Sequence, residues 1–379
     1  MHVNQSELDR RTLLRAGLGA ATVAVVGSEL AFPTAARATP GTGTDLDWII
    51  GCAEWGARPP ADPLSISATA TNKIIVHHMA FPNVTDYSQA QAVKLAKDCQ
   101  DLHMDGNGWS DTGQHFTVSR GGYVLEGRTG SLERLQAGDR QMISAHCPGE
   151  NGRAIGIENE GTYVTETPPQ ALLDSLVKLC ATICRQYGLQ AHDIFGHWDF
   201  RNTQCPGAAF YRQFPMLRRR VFAELGTRLA DVPARRWPDL WRFVGSPSVQ
   251  VVQYLLAHRG YAVPINSVFD AATVAAVQDW QYRNGIPVDV DATLTPQTWE
   301  TLVPELDKHA GGLPVSAVQF ILNVKGYADV TVTGEYDFAT RKAVQDLQGV
   351  HGLPRNGKVD VSTWCAIVGG VVRQSFKHH

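Results

Sequence analysis

The sequence predicts an α/β domain followed by two small all-α modules. Three observations carry this. Residues 48–225 mix runs of strand-forming residues with amphipathic helical runs, the pattern of a sheet with helices packed on it. Beyond residue 246 the chain repeats itself at a nearly constant offset, which is the mark of a tandem duplication. At 379 residues the chain is longer than a single core usually serves, so two or three folding units are expected.

Taken in order, residues 39–47 form a Thr/Gly/Pro/Asp leader, and Cys52 to Pro60 is irregular. Lys73-Ile-Ile-Val-His77-His78-Met79 is a β-branched run ending in two histidines and reads as a buried strand. A helical pattern starts at Asp86, with Ala92, Val93, Leu95 and Ala96 on one side, and runs to about His103. Gly106 to Asp111 is a turn. His115–Ser119 and Tyr123–Glu126 are the arms of a hairpin around Gly121-Gly122. Ala154–Gly161 is a further strand, whose period of two puts Glu158 and Glu160 on the face opposite Ile157 and Asn159. Pro168–Tyr187 is a helix with Leu172, Leu176, Leu179 and Ile183 inward. Asp193–His197 is a short strand, and Phe210–Leu225 is a closing helix. Residues 226–246 hold Arg, Pro and Trp without periodicity and read as a linker.

The duplication is legible residue by residue. Val249, Val252, Leu255, Leu256 and Gly260 recur 66 positions later as Val315, Val318, Ile321, Leu322 and Gly326. Asp270, Val277, Trp280, Gly285 and Pro287 recur 67 later as Asp337, Val344, Leu347, Gly352 and Pro354, and Thr298-Trp299 recurs as Thr363-Trp364. Each copy shows helix, turn, Asp-capped helix, turn, short helix. The modules are expected over 247–304 and 313–370, with the break near Pro304 to Leu313.

Net charge is -3 and no Lys/Arg block follows the N-terminus, so the chain lacks the basic footprint of a nucleic-acid binder. At the N-terminus, Arg10-Arg11 and Arg15 precede an apolar run from Ala16 to Gly27, and Ala36-Arg37-Ala38 is a small-x-small cleavage site. The run is shorter than the roughly 20 residues that span a bilayer. Residues 1–38 are therefore expected to be a secretory signal resembling the twin-arginine type, cleaved after Ala38 and leaving a mature chain without a membrane span. Export permits disulfides, and seven cysteines leave at least one outside intramolecular pairing. Cys180 and Cys184, i,i+4 on one helix, are poorly placed to bond each other and read as small core residues or as partners of other cysteines.

Chemistry concentrates in Gly196-His197-Trp-Asp-Phe-Arg-Asn-Thr-Gln-Cys205-Pro-Gly207. Imidazole and thiolate are ligands that a tetrahedral zinc ion takes, and a loop lets two ligands eight residues apart converge. His77 or His78, ending another strand, supplies a third, and three protein ligands plus water make the open, catalytic form of a zinc site. Glu158, on a neighbouring strand, is a candidate for moving the proton; the alternative for it is a strand glutamate facing solvent.

These residues carry a resemblance. From Trp55 to about Val221 the chain resembles the type-2 N-acetylmuramoyl-L-alanine amidases and peptidoglycan recognition proteins. The matching motifs are Trp55-Gly-Ala-Arg-Pro, Ile75-Val-His77-His78, Gly108-Trp109-Ser-Asp-Thr-Gly113, Ala154-Ile-Gly-Ile157, and Gly196-His197 through Cys205-Pro-Gly207. The resemblance implies a mixed central sheet flanked by helices. It also implies zinc-dependent hydrolysis of the amide between N-acetylmuramic acid and L-alanine, with peptidoglycan as partner. Carried over by position, it makes His77, His197 and Cys205 the Zn2+ ligands and leaves His78 to pack beside them. It makes Glu158 the acidic catalytic residue, with Glu160 in reserve. Thr203 falls at a position able to touch the developing oxyanion. His146 and Trp109 fall in the substrate-binding segments, and so does Gln114, which stands where many members carry Tyr beside the zinc water. Recognition-only members lack the zinc cysteine, so Cys205 favours an enzyme over a non-catalytic peptidoglycan receptor. A glycosidase normally needs paired carboxylates, for which Glu158 and Glu160 could be mistaken. The two repeats resemble the type-1 peptidoglycan-binding domain, expected to target the wall. Trp280, Trp299 and Trp364 sit at core-like helical positions, and no ligand residue is assigned there.

Overall fold

The computed structural model describes residues 46–377; the expected export signal lies outside them. In chain order, β1 (Ile49–Ile50) and α1 (Cys52–Trp55) lead to β2 (Lys73–His78) and α2 (Gln89–Asp101). The hairpin β3 (Phe116–Val118) and β4 (Val124–Glu126), α3 (Ser131–Ala137), β5 (Ala154–Asn159), α4 (Gln170–Tyr187) and β6 (Ile194–Gly196) follow. Next come α5 (Ala208–Tyr211), α6 (Phe214–Leu225) and the short β7 (Arg235–Arg236). The repeats comprise α7 (Pro247–His258), α8 (Ala271–Arg283) and α9 (Pro296–Leu302), then α10 (Leu313–Val324), α11 (Phe338–Val350) and α12 (Val361–Ile367), with β8 (Val371–Val372) last.

Among the described residues the main sheet has six strands in the order β1-β4-β3-β5-β2-β6. β3 and β4 pair antiparallel, while β1–β4, β3–β5, β2–β5 and β2–β6 are parallel, so the sheet is mixed. β2 lies between β5 and the edge strand β6 and is buried throughout, and a strand covered on both faces reads as a continuous apolar run. Its alternation divides two layers. Ile74 and Val76, with Ile155, Ile157 and Ile194, pack under Leu172, Leu176 and Leu179 of α4 and Leu217 and Val221 of α6. Ile75, Ala154 and Phe195 point the other way, into a core shared with residues of both repeats.

Boundaries moved where a better cap or a proline intervened. The helix expected from Asp86 starts after Ser88, whose hydroxyl accepts from the Gln91 N–H, while Asp86 accepts from the Ser88 N–H. The closing helix breaks into α5 and α6, the second opening with Pro215 in its first turn, where proline costs no hydrogen bond. Residues 226–246, expected as a linker, are packed rather than free. β7 pairs with β8, and Trp237 stacks on Trp299 with ring centroids 5.1 Å apart. Cys180 and Cys184 are core residues, and all seven cysteines, which lie among the described residues, are free thiols.

The repeats reproduce hydrogen bonds as well as apolar positions. Asp270 and Asp337 accept from the N–H of Thr273 and Thr340. The buried amides of Gln253 and Gln319 donate to the hydroxyls of those same threonines. Trp299 and Trp364 are fully buried, as their helical positions require. No helix among the described residues is long and apolar enough to cross a membrane.

Candidate metal centre

Parallel register assembles the site at the C-terminal ends of three adjacent strands, where open α/β sheets commonly bind ligands. His77 on β2 lies opposite Glu158 on β5, and Val76 lies opposite Gly196 on β6, the residue before His197. Cys205 returns to the same edge from the loop after β6. The donor atoms of His77, His197 and Cys205 all lie within 4.8 Å of one another. Cys205 Sγ is 3.6 Å from His77 Nδ1 and accepts from the His78 backbone N–H at 3.3 Å. Glu158 Oε1 is 3.7 Å from the same His77 Nδ1, and 18% of its side chain is exposed.

The tautomer of His77 follows from its neighbours. The carbonyl of Ala154 can only accept, so His146 Nε2, 3.3 Å away, carries a proton. Neutral His146 then accepts at Nδ1, and His77 Nε2, 2.9 Å from it, must be the donor. That leaves the His77 Nδ1 lone pair aimed at Cys205 and Glu158, the arrangement that orients metal-binding imidazoles. Gly156 makes the relay possible: a Cβ there would lie 2.3 Å from the His146 ring. The glycine of Ala154-Ile-Gly-Ile157 thus leaves the space that His146 fills.

Burial holds these groups in the neutral forms. His77 is held well below its ordinary value by desolvation, reinforced by neighbouring histidines, and His197 is pushed down to about 3, also chiefly by burial. Cys205 is pushed well up by burial, and the Glu158 carboxyl rises to about 8 for the same reason. Neutral imidazole is the ligand form of histidine, and a divalent cation is what converts a buried thiol to thiolate. Both ring nitrogens of His197 and Oε2 of Glu158 are buried without a hydrogen-bond partner. Orphaned buried polar atoms are costly, and a cation between the three donors would satisfy one of the two His197 nitrogens. The donor set fits zinc.

The remaining expected residues divide. Thr203 Oγ1 accepts from the Cys205 backbone N–H at 3.2 Å, a bond that leaves its own hydroxyl proton to donate elsewhere. His78 supports the site from behind, with Nδ1 accepting from the Tyr163 N–H. His146 is buried against His77. Trp109 is half-buried and packs on His103. Gln114 is 1% exposed and donates to Thr117 Oγ1, so it lies behind the site and offers substrate no surface. Glu160 lies past the end of β5, its carboxylate accepting from the Arg120 N–H and from Gln91, which removes it as a reserve base. Two supporting residues escaped the sequence reading. Asn159 donates to the His77 carbonyl at 2.7 Å, and Asp199 accepts from the Gly196 N–H at 2.9 Å.

Known proteins share this arrangement of sequence. A family profile described as N-acetylmuramoyl-L-alanine amidase matches residues 67–208. One described as putative peptidoglycan binding domain matches 245–302 and 311–367. Peptidoglycan-recognition protein LB of Drosophila melanogaster is 30% identical over 178 residues, which cover 47% of this chain and 72% of that protein. The chain belongs to the family of N-acetylmuramoyl-L-alanine amidases and peptidoglycan recognition proteins. Within the family, the N-acetylmuramoyl-L-alanine amidase of Sus scrofa is 28% identical over 191 residues, 48% of this chain and 30% of that protein. The solved structure of Drosophila PGRP-LB matches 47% of this chain and 92% of its own at 29% identity and a TM-score of 0.37. For the amidase LysC of Clostridium intestinale URNW the figures are 48% and 98%, at 27% identity and a TM-score of 0.36.

Proposed function

We propose that this protein is an exported zinc amidase that hydrolyses the bond between N-acetylmuramic acid and L-alanine in peptidoglycan. The observation that carries the reading is the convergence of His77, His197 and Cys205 with Glu158 beside them. Domain limits of 48–225 for the catalytic part and 247–304 and 313–370 for the repeats belong to this reading, as do the signal over 1–38 and a location outside the cytoplasm.

When bound, zinc supplies a Lewis acid for the scissile carbonyl and lowers the pKa of its water to roughly 7. The chain's own groups do the rest. His146 and Asn159 fix His77. Glu158, whose carboxylate a nearby cation favours, takes the proton of the attacking water as the water oxygen bonds to the carbonyl carbon. It returns that proton to the nitrogen of L-alanine as the C–N bond breaks. Thr203 donates its hydroxyl proton toward the carbonyl oxygen as negative charge grows there.

The test is substitution of ligand and base separately. Cys205→Ala or His197→Ala should abolish both zinc retention and hydrolysis while leaving binding to insoluble peptidoglycan largely intact. Activity near wild type in either variant contradicts the reading. Glu158→Gln should keep zinc and lose about 10²–10⁴-fold in kcat. A wild-type chain that holds no metal and stays inert with added zinc would favour a non-catalytic receptor.

A further inference from the structure

The second repeat reaches into the base of the metal-binding loop. Asp199 is two residues from His197 and fully buried, with one carboxylate oxygen accepting from the Gly196 N–H. Its other oxygen accepts from Lys325 Nζ at 2.8 Å and from the Tyr211 hydroxyl at 2.8 Å. Lys325 is 1% exposed, follows α10, and also donates to Tyr211 at 3.0 Å. The backbone of Gly369, after α12, closes over the pair: a Cβ there would lie 2.1 Å from Asp199 Oδ1. A charged lysine with no water around it is tolerated only against a buried opposite charge. Asp199 therefore fixes the position of Lys325 and Lys325 fixes Asp199.

A second anchor lies at the far end of β2. Lys73 and Glu150 form a fully buried ion pair at 2.7 Å, which Trp241 completes by donating its indole N–H to Glu150. Phe195 and Phe200, on either side of His197, share the apolar core with α7 and α10. A tethered module that only concentrates the enzyme on its polymer needs none of these contacts.

We propose that Lys325, carried by the second repeat, is a positioning residue for the metal loop. It holds the Asp199 carboxylate that clamps Gly196, and so sets His197 against His77 and Cys205. The repeats are then part of the catalytic unit in addition to any role on the wall. The inference rests on His77, His197 and Cys205 being the zinc site.

The experiment uses the full chain and reads zinc affinity by competition with a chelator. Lys325→Met should weaken zinc about 10- to 100-fold, the usual effect of removing a group that orients a ligand. Asp346→Asn breaks the Arg212–Asp346 pair between the same two parts without touching Asp199, and should stay within about twofold of wild type. A folded Lys325→Met chain with wild-type zinc affinity overturns the proposal. If that variant does not fold, Lys325→Gln, which keeps a polar end but removes the charge held by Asp199, should still weaken zinc about threefold, and an unchanged value overturns it equally. Amide hydrogen exchange over residues 196–201, read without metal, separates this claim from the zinc reading. Lys325→Met, or Lys325→Gln in its place, should speed it about tenfold. Unchanged exchange refutes the coupling, whereas faster exchange in the variant beside a wild-type chain that binds no zinc refutes only the metal assignment.

Discussion

At the scale of single residues, the chemistry of the candidate centre is a matter of which nitrogen holds a proton. His77 presents Nδ1 to a cation while its Nε2–H donates to His146. His146→Ala is expected to weaken zinc about 10- to 100-fold with Glu158 untouched, measured by chelator competition. Unaltered affinity would mean that the relay does not orient the ligand. Two buried histidines that are not among the candidate donors make a second prediction. His115 and His351 are fully enclosed and pushed down to about 3 by burial. Below pH 6.5 the unfolded chain binds protons that these folded histidines refuse, so their stability contribution is complete above 6.5 and lost as pH falls toward 3. Each should cost about 2 kcal/mol by pH 5. Thermal unfolding between pH 7 and 5 measures it, and a midpoint that does not fall would contradict the burial of these rings. The three candidate donors were legible because His and Cys beside Gly and Pro suggest a metal loop, and the structure brings their donor atoms together. His146 was expected in the groove, since its contact with His77 spans 69 positions and leaves no local pattern. The burial of Gln114 was equally hidden, because its partner Thr117 belongs to a strand whose inward face only the sheet defines.

At the scale of elements, β2 was readable from its β-branched run and β5 and β6 from short apolar runs, and their parallel register brings His77, Glu158 and the start of the His197 loop to one edge. The helices of the repeats were readable because the duplication carries whole hydrogen-bond sets, Gln253 with Thr273 and Gln319 with Thr340. Residues 226–246 were not. Trp237 has no periodic neighbours, and what fixes it is Trp299 far along the chain, in near-parallel rings 8° apart. An aperiodic stretch signals a tether only when nothing elsewhere buries it. Trp237→Ala should therefore cost about 3–5 kcal/mol, as a large core truncation does, whereas a free linker would lose almost nothing. Denaturant unfolding decides between them.

At the scale of the molecule, the apolar core under Ile75 and Phe195 continues into both repeats without a break, and the described residues lie in one compact unit, Pro40–His379. Residues 46–377 should accordingly unfold in one calorimetric transition; two well-separated transitions would show that the repeats and the sheet are independent. Sequence pattern revealed the two kinds of module because each has its own periodicity. It could not reveal their union, because Lys325 and Asp199 meet only in the folded chain and each alone reads as an ordinary surface charge. The central claim is that the edge holding His77, His197 and Cys205 is a zinc hydrolase centre acting on peptidoglycan. The most direct measurement is digestion of purified peptidoglycan by the mature chain, with and without a zinc chelator, with products read by mass spectrometry. The account predicts free stem peptides beginning with L-alanine, lost on chelation and restored by zinc. Intact muropeptides under every condition, or release of reducing sugar ends instead, would contradict it.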